Sequence, residues 1–244
     1  MNIRPSALQL AEKCGLAAVL AAKYPEEGDA AERGKKIHAD IASGKGETPE
    51  GRAALALLKL EALAKVEKEV KVQLHDPETS ELITEGTADV VIETETQVAV
   101  WDWKTGRPEY VAYSFENLQL HAYALAVALE RDAASYSVRA VFLDGDTATM
   151  GDASIVAGNE MWSMLERIKA AAAREPVAHP GEHCSRCWQR VYCDAWKGRV
   201  STALALLPNG HTKAITALTD ETATELLLRM ADVKKAAKIA EDMV

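Results

Sequence analysis

Asp89, Asp102 and Lys104 are the residues whose types and spacing could do chemistry. They lie in the stretch GTADVVIETETQVAVWDWKTG, from Gly86 to Gly106. Read with a period of two, Val98, Val100, Asp102 and Lys104 share one face of a strand, and Ala99, Trp101 and Trp103 share the other. A carboxylate and an ammonium therefore end an otherwise apolar face. Asp89 opens a second apolar run, Val90-Val91-Ile92, and the polar residues from Glu93 to Gln97 can turn the chain back. Two adjacent strands then bring Asp89 and Asp102 together. Converging carboxylates repel unless a hard cation sits between them, and Mg2+ takes one or two carboxylates with waters and phosphate oxygens. Lys104 is placed to orient an attacking water or to meet charge developing on phosphorus. This is the outline of a phosphodiester-cleaving centre.

Helices and strands at either side must position these groups. Leu8, Leu10, Leu16, Val19 and Leu20 recur at helical spacing, which predicts one helix over 5–24 with Cys14 inside it. A second helix is expected over 29–43, stopped by Gly44 and carrying Gly34 and His38; Thr48-Pro49 starts a third that runs to about residue 65. Val66, Val70, Val72 and Leu74 at even spacing predict a strand over 66–75, and Leu82 begins the return. After Gly106 a long helix over 114–131 places Gln119 and Tyr123 four apart on one face. A strand over 136–143 ends in an Asp144-Gly145-Asp146 turn. A helix over 154–174 follows, with Met161, Trp162, Leu165 and Ile168 on its inner side.

Asp89 followed by Asp102-Trp103-Lys104-Thr105-Gly106 resembles the PD-(D/E)xK nucleases, and the wording is closest to their RecB-like branch. The resemblance implies an α/β restriction-endonuclease-like core, a central mixed sheet flanked by helices, over about residues 4–197. It implies a metal-dependent deoxyribonuclease using Mg2+ or Mn2+, exonucleolytic on DNA with a single-stranded segment at the site. Gly34 to His38 is similar to the G-x-x-x-H element of that branch. By that likeness His38 joins Asp89, Asp102 and the Trp103 carbonyl as metal ligands. Gln119 and Tyr123 match its Q-x-x-x-Y element, which lines the active site and contacts nucleic acid.

Cys184, Cys187 and Cys193 form a second constellation, C-x2-C-x5-C, and Cys14 is the remaining cysteine of four. In a reducing compartment such spacing reads as a metal or cluster site rather than as disulfides. Four thiolates suit zinc, as would three with His179 or His183. One distant cysteine followed by C-x2-C-x5-C also resembles the iron–sulfur nucleases, the AddB nuclease domain and the CRISPR-adaptation nucleases. That resemblance implies a 4Fe-4S cluster on Cys14, Cys184, Cys187 and Cys193, closing a nuclease domain over 1–199.

The formal charge of −9 over 244 residues argues against general nucleic-acid stickiness. Any DNA path is then a local strip, for which Arg186, Arg190, Lys197 and Arg199 are candidates. No run approaches the roughly 18 apolar residues of a membrane span, and the N-terminus lacks a signal-peptide pattern, so a cytoplasmic location is expected. Residues 200–244 read as a helical tail with a stripe of Leu226, Leu227, Met230, Val233 and Ala237, for packing on the domain or on a protein partner. Two rival functions share these features: a catalytically inactive DNA-processing adaptor that keeps the fold, and a zinc-stabilised DNA-binding module.

Overall fold

β3 (Gln97–Lys104) runs through the middle of a five-stranded mixed sheet with the order β1-β2-β3-β4-β5. The other strands are β1 (Lys65–His75), β2 (Leu82–Glu93), β4 (Ser135–Asp144) and β5 (Thr147–Ala157). β1, β2 and β3 form an antiparallel meander, β3 and β4 are parallel, and β5 returns antiparallel on the far edge. The computed structural model describes residues 3–24, 28–61, 64–105, 111, 113–185, 187, 190 and 192–198. The chain divides into two compact units, Met1–Pro176 and Val177–Val244, and the sheet belongs to the first. Among the described residues no helix is long and apolar enough to cross a membrane.

Alternation along β3 sorts its side chains as the pattern predicts. Val98 and Val100 join a core with α1 (Pro5–Lys13), α5 (Leu118–Glu130) and α6 (Asn159–Ala172), whereas Trp101 and Trp103 join a second core with α3 (Asp29–Ser43) and α4 (Pro49–Leu58). The protein is thus α/β, a mixed sheet covered by helices on both faces. α5 is the crossover between parallel β3 and β4, and ten of its thirteen residues are buried, from Leu118 through Ala128. A helix apolar on nearly all sides can lie only in the interior.

Several elements differ from the expected ones. The N-terminal helix is broken at Cys14, which takes an extended conformation between α1 and α2 (Gly15–Lys23). A Cβ on Gly15 would lie 1.9 Å from the Glu175 carbonyl oxygen, so the chain passes where only glycine fits. α4 stops at Leu58 and gives way to a 3-10 turn over Lys59–Glu61, short of the expected length. A 3-10 turn over Ser114–Glu116 precedes α5, and Asn117, whose side chain accepts the Leu120 N–H at 3.3 Å, starts the helix proper. The segment expected as the start of a helix over 154–174 is instead part of β5, and α6 begins only after Gly158 at φ 54°. β5 is an edge strand with one buried residue in eleven, so it carries no apolar alternation to read. Trp162, expected on the inner side of α6, is 53% exposed.

Asp40 ties α3 to α4. Its buried carboxylate accepts N–H bonds from Glu47 at 2.8 Å and Thr48 at 2.7 Å and the Thr48 hydroxyl at 2.6 Å. Burial alone would raise its pKa, but these donors together hold it below the usual carboxylate range.

His121, on α5, is 1% exposed, and its Nδ1 lies 3.1 Å from the Tyr136 hydroxyl. Burial, helped by the charge of Arg167, pushes its pKa down to about 4 from 6.5, against the backbone carbonyls of Ser114 and Phe115. The unfolded chain therefore takes up this proton first on acidification. The stability that the neutral ring supports is whole above the unfolded value and is lost as pH falls towards the folded one, by about 3 kcal/mol in total. Urea unfolding compared at about pH 7.5 and about pH 4.5 reads that loss, and His121→Asn flattens the interval.

Candidate active site

Gly34 sets the approach of α3 to the end of β3. A Cβ there would meet Thr105 Oγ1 at 3.3 Å, so the glycine admits the strand end at close range. One helical turn on, His38 reaches the same end with both ring nitrogens. Nδ1 lies 3.3 Å from Asp89 Oδ1, and Nε2 lies 3.2 Å from the Trp103 carbonyl oxygen. The other Asp89 oxygen, Oδ2, accepts the Trp103 N–H at 2.8 Å. Burial disfavours the imidazolium, but the bond to Asp89 and the charges of Asp89, Asp102 and Glu69 outweigh it and raise the His38 pKa.

Asp102 is 4% exposed and sits opposite Asp89 in the continuation of the β2–β3 register, which pairs Val90 with Trp101. Its Oδ2 lies 2.5 Å from Lys104 Nζ yet accepts no hydrogen bond of good geometry. Burial pushes its carboxyl pKa up and nearby Asp89 adds to this, against the pull of Lys104 and His38. α5 lays Gln119 beside Asp102: the amide nitrogen is 3.5 Å from Asp102 Oδ1 and 3.4 Å from the Tyr123 hydroxyl, both at the long limit of hydrogen bonding. Burial, with the charges of Asp102, Asp89 and Glu69, pushes the Tyr123 pKa up to about 12 despite the Gln119 contact. The phenol is a proton donor at neutral pH.

Gly86 makes the floor for Tyr123. A Cβ at residue 86 would stand 2.9 Å from Tyr123 Cε1 and 3.2 Å from Pro5 Cγ. Gly86→Ala is expected to cost about 2 kcal/mol in urea unfolding. Tyr123→Ala in the same chain removes the clashing ring, so the double-mutant cycle should show a favourable coupling between the two substitutions.

Glu69 is the residue that the sequence reading missed. One ligand atom each from His38, Glu69 and Asp89 lie within 4.8 Å of one another. Glu69 is in β1 at φ 52°, a left-handed conformation inside a strand. The β1–β2 ladder has Lys68 opposite Val90 and Val70 opposite Ala88, with the intervening Glu69–Asp89 pair left out. Val66 packs on the core of Trp101 and Trp103, whereas Val70 packs on the other core. The even spacing of Val66, Val70, Val72 and Leu74, expected to mark one face, therefore spans two. The strand changes face at Glu69, and period-two reading cannot see such an inversion.

The cysteines are local features of their own units. In the first unit Cys14 is buried at the α1–α2 break. In the second, Cys187 N–H bonds to Cys184 O at 3.4 Å, Arg190 N–H to Cys187 O at 3.3 Å and Cys193 N–H to Arg190 O at 3.1 Å. Each of these bonds closes a turn between residues three apart. Cys184 and Cys187 are buried, and Cys184 Sγ lies 3.8 Å from His183 Nε2. His179 Nδ1 is 3.0 Å from the Val177 carbonyl oxygen. The Arg190 guanidinium is 6.0 Å from the Trp196 ring centre, and Lys197 lies 3.8 Å from Asp194. Arg186, Arg199 and the tail over 200–244 lie outside the described residues.

Fold and site together define an α/β protein with an imidazole, carboxylates and an ammonium gathered at the end of its central strand. The chain belongs to the family described as "Protein of unknown function (DUF2800)", whose profile matches residues 52–244. A solved structure described as "Crystal structure of SSO0001" is similar at 15% identity and a TM-score of 0.47, covering 78% of this chain and 85% of that one. No curated protein matches the sequence significantly.

Proposed function

We propose that the protein is a divalent-metal-dependent deoxyribonuclease of the RecB-like PD-(D/E)xK type, acting as an exonuclease on DNA with a single-stranded segment at the site. The observation that supports this is the meeting of α3, β2, β3 and α5. His38 touches Asp89 and the Trp103 carbonyl, and Lys104 and Gln119 touch Asp102, all within 3.5 Å. Surface Asp–Lys pairs need neither the imidazole nor the buried carboxylate.

The donors fit a hard cation: two carboxylates, an imidazole and a carbonyl oxygen, with Asp102 Oδ2 buried and lacking a well-formed hydrogen bond. His38, Asp89, Asp102 and the Trp103 carbonyl would hold Mg2+ or Mn2+. Such an ion supplies Lewis-acid polarisation of a phosphoryl oxygen. Asp102 holds the Lys104 ammonium at the reacting end of the strand, from which it donates to the attacking water. The Gln119 amide and the Tyr123 hydroxyl donate to phosphate oxygens of the bound strand and fix its path. On the sequence alone, Arg186 and Arg190 are proposed as further cationic contacts to the nucleic acid.

The test is digestion of end-labelled single-stranded DNA by the full chain with Mn2+ or with EDTA. Cutting with Mn2+ that EDTA and Asp102→Asn both abolish supports the nuclease. DNA binding without cutting under any divalent metal overturns it and leaves the inactive adaptor.

The four-cysteine expectation is proposed separately, on the sequence resemblance: Cys14, Cys184, Cys187 and Cys193 ligate a 4Fe-4S cluster, with structural zinc as the competing metal. Anaerobic purification followed by an absorption spectrum with iron and zinc analysis decides between them. Brown protein containing iron supports the cluster, and colourless protein with stoichiometric zinc supports a zinc site.

A further inference from the structure

Tyr113 and Phe115 are 66% and 56% exposed, although the residue between them is buried. That residue, Ser114, donates its N–H to Asp152 Oδ2 at 3.0 Å and its hydroxyl to the Asp152 carbonyl oxygen at 2.8 Å. The Tyr113 carbonyl oxygen accepts the N–H groups of Glu116 at 2.9 Å and Asn117 at 3.1 Å, which closes the turn. A turn pinned at its centre holds both flanking side chains outward. Their rings lie nearly parallel, with 13° between planes and centroids 5.8 Å apart, an offset stack to which a further flat ring can add. An irregularity in the sheet sets where the pair stands. Arg139 pairs with Ala153 and Val141 with Met150, so Ala140 faces both Gly151 and Asp152 in a bulge. On its other side Ala140 pairs with Asp102. Asp152 is therefore two strand spacings, about 10 Å, from the Asp102 backbone. The turn that it holds leads into α5, whose Gln119 reaches Asp102.

From Val111 to Asn117 the chain holds no lysine or arginine and one acid, Glu116, and Asp152 adds another. Such a surface does not attract phosphates, whereas a neutral base stacks on an aromatic ring whatever its sequence. The bases of a duplex are already stacked on one another; those of a single strand are open. We infer that Tyr113 and Phe115 form a stacking platform for the bases of a single-stranded nucleic acid whose backbone passes Asp102. This rests on the nuclease reading and deepens it, naming the unpaired bases beside the cut as the part of the substrate that is gripped. Gln119 and Tyr123 then set the path of the phosphates, and the platform sets the preference for unpaired bases.

Binding of the full chain to a labelled single-stranded oligonucleotide in EDTA, read by fluorescence anisotropy, tests the platform with Tyr113→Ala, Phe115→Ala and the conservative Tyr113→Phe. An oligonucleotide of the same length with abasic sites throughout is the control, since it keeps every phosphate and offers no base to stack. Each alanine variant is expected to weaken binding of the intact strand about tenfold and to leave binding of the abasic strand unchanged. Tyr113→Phe binds as wild type does, and all three variants keep the wild-type Tm because the rings are exposed. Equal affinity of wild type and both alanine variants for the intact strand, with Mn2+-dependent cutting retained, overturns the platform alone and leaves the pair to a protein partner. A loss as large on the abasic strand also overturns it, because the rings then support the fold rather than a base. Should wild type bind without cutting, the nuclease reading falls, and the same comparison of intact with abasic strands still decides the platform. Wild type that binds neither strand and does not cut overturns both together.

Discussion

Asp102→Asn is expected to abolish DNA cutting, by about a thousandfold or more, while making the metal-free protein more resistant to urea. The two effects share one cause. The Asp102 carboxyl is buried, and its pKa in the fold is raised above its unfolded value, chiefly by that burial. Whatever stability its proton supports is whole below the unfolded pKa and is lost as pH rises through the folded one. At neutral pH the ionised group is therefore a cost, and a neutral amide of the same shape removes it. Lys104→Met should also abolish cutting but with the opposite effect on stability. It strands the buried carboxylate without the ammonium 2.5 Å away, at a loss of about 2 kcal/mol. Paired urea titrations in EDTA and cleavage assays with Mn2+ read both signs. A residue placed for folding alone would lose activity and stability together.

Gly15→Ala should destabilise the protein by about 3 kcal/mol, read as a lower Tm and urea midpoint. Helix propensity by itself forecasts the reverse, since alanine is about 1 kcal/mol better than glycine inside a helix. The clash decides the sign: the new Cβ would stand 1.9 Å from the Glu175 carbonyl oxygen and 2.8 Å from its carbon. Both are backbone atoms, so no side-chain rotation relieves the contact. Cys14 lies next to this contact, in the extended link that separates α1 from α2. The substitution should thus disturb the surroundings of that thiol as well, and a faster reaction with a thiol reagent in Gly15→Ala than in wild type would report it.

Much of the site was legible because its signals are local. The bounds of α3 follow from Asp29 in its first turn and from Gly44, left-handed at φ 74°, at its end. The two faces of β3 follow from period two, and the helical spacing of Gln119 and Tyr123 follows from the 3.6-residue turn. Thr48 and Pro49 announced α4 because a cap and a ring-fixed φ act on adjacent residues: the Thr48 hydroxyl accepts the Gly51 N–H at 2.9 Å. β5 was not legible, since an edge strand with little burial leaves no hydrophobic pattern.

Residue types and short-range periodicity thus sufficed for the facing of Asp102 and Lys104 beside Val98 and Val100, whereas the α/β class and the candidacy of His38, Gln119 and Tyr123 came from the resemblance to RecB-like nucleases. Three features depended on parts of the chain far apart in sequence. The close packing of Gly15, next to the break at Cys14, is against the backbone of Glu175, more than a hundred residues away. The space for Tyr123 depends on Gly86 and Pro5. The joining of Glu69 to His38 and Asp89 depends on an inversion of β1 that its own alternation hides. Periodicity records which way neighbouring side chains point along one element. Close approach and charge convergence are set where elements from distant parts of the chain pack together, and no local pattern encodes that distance.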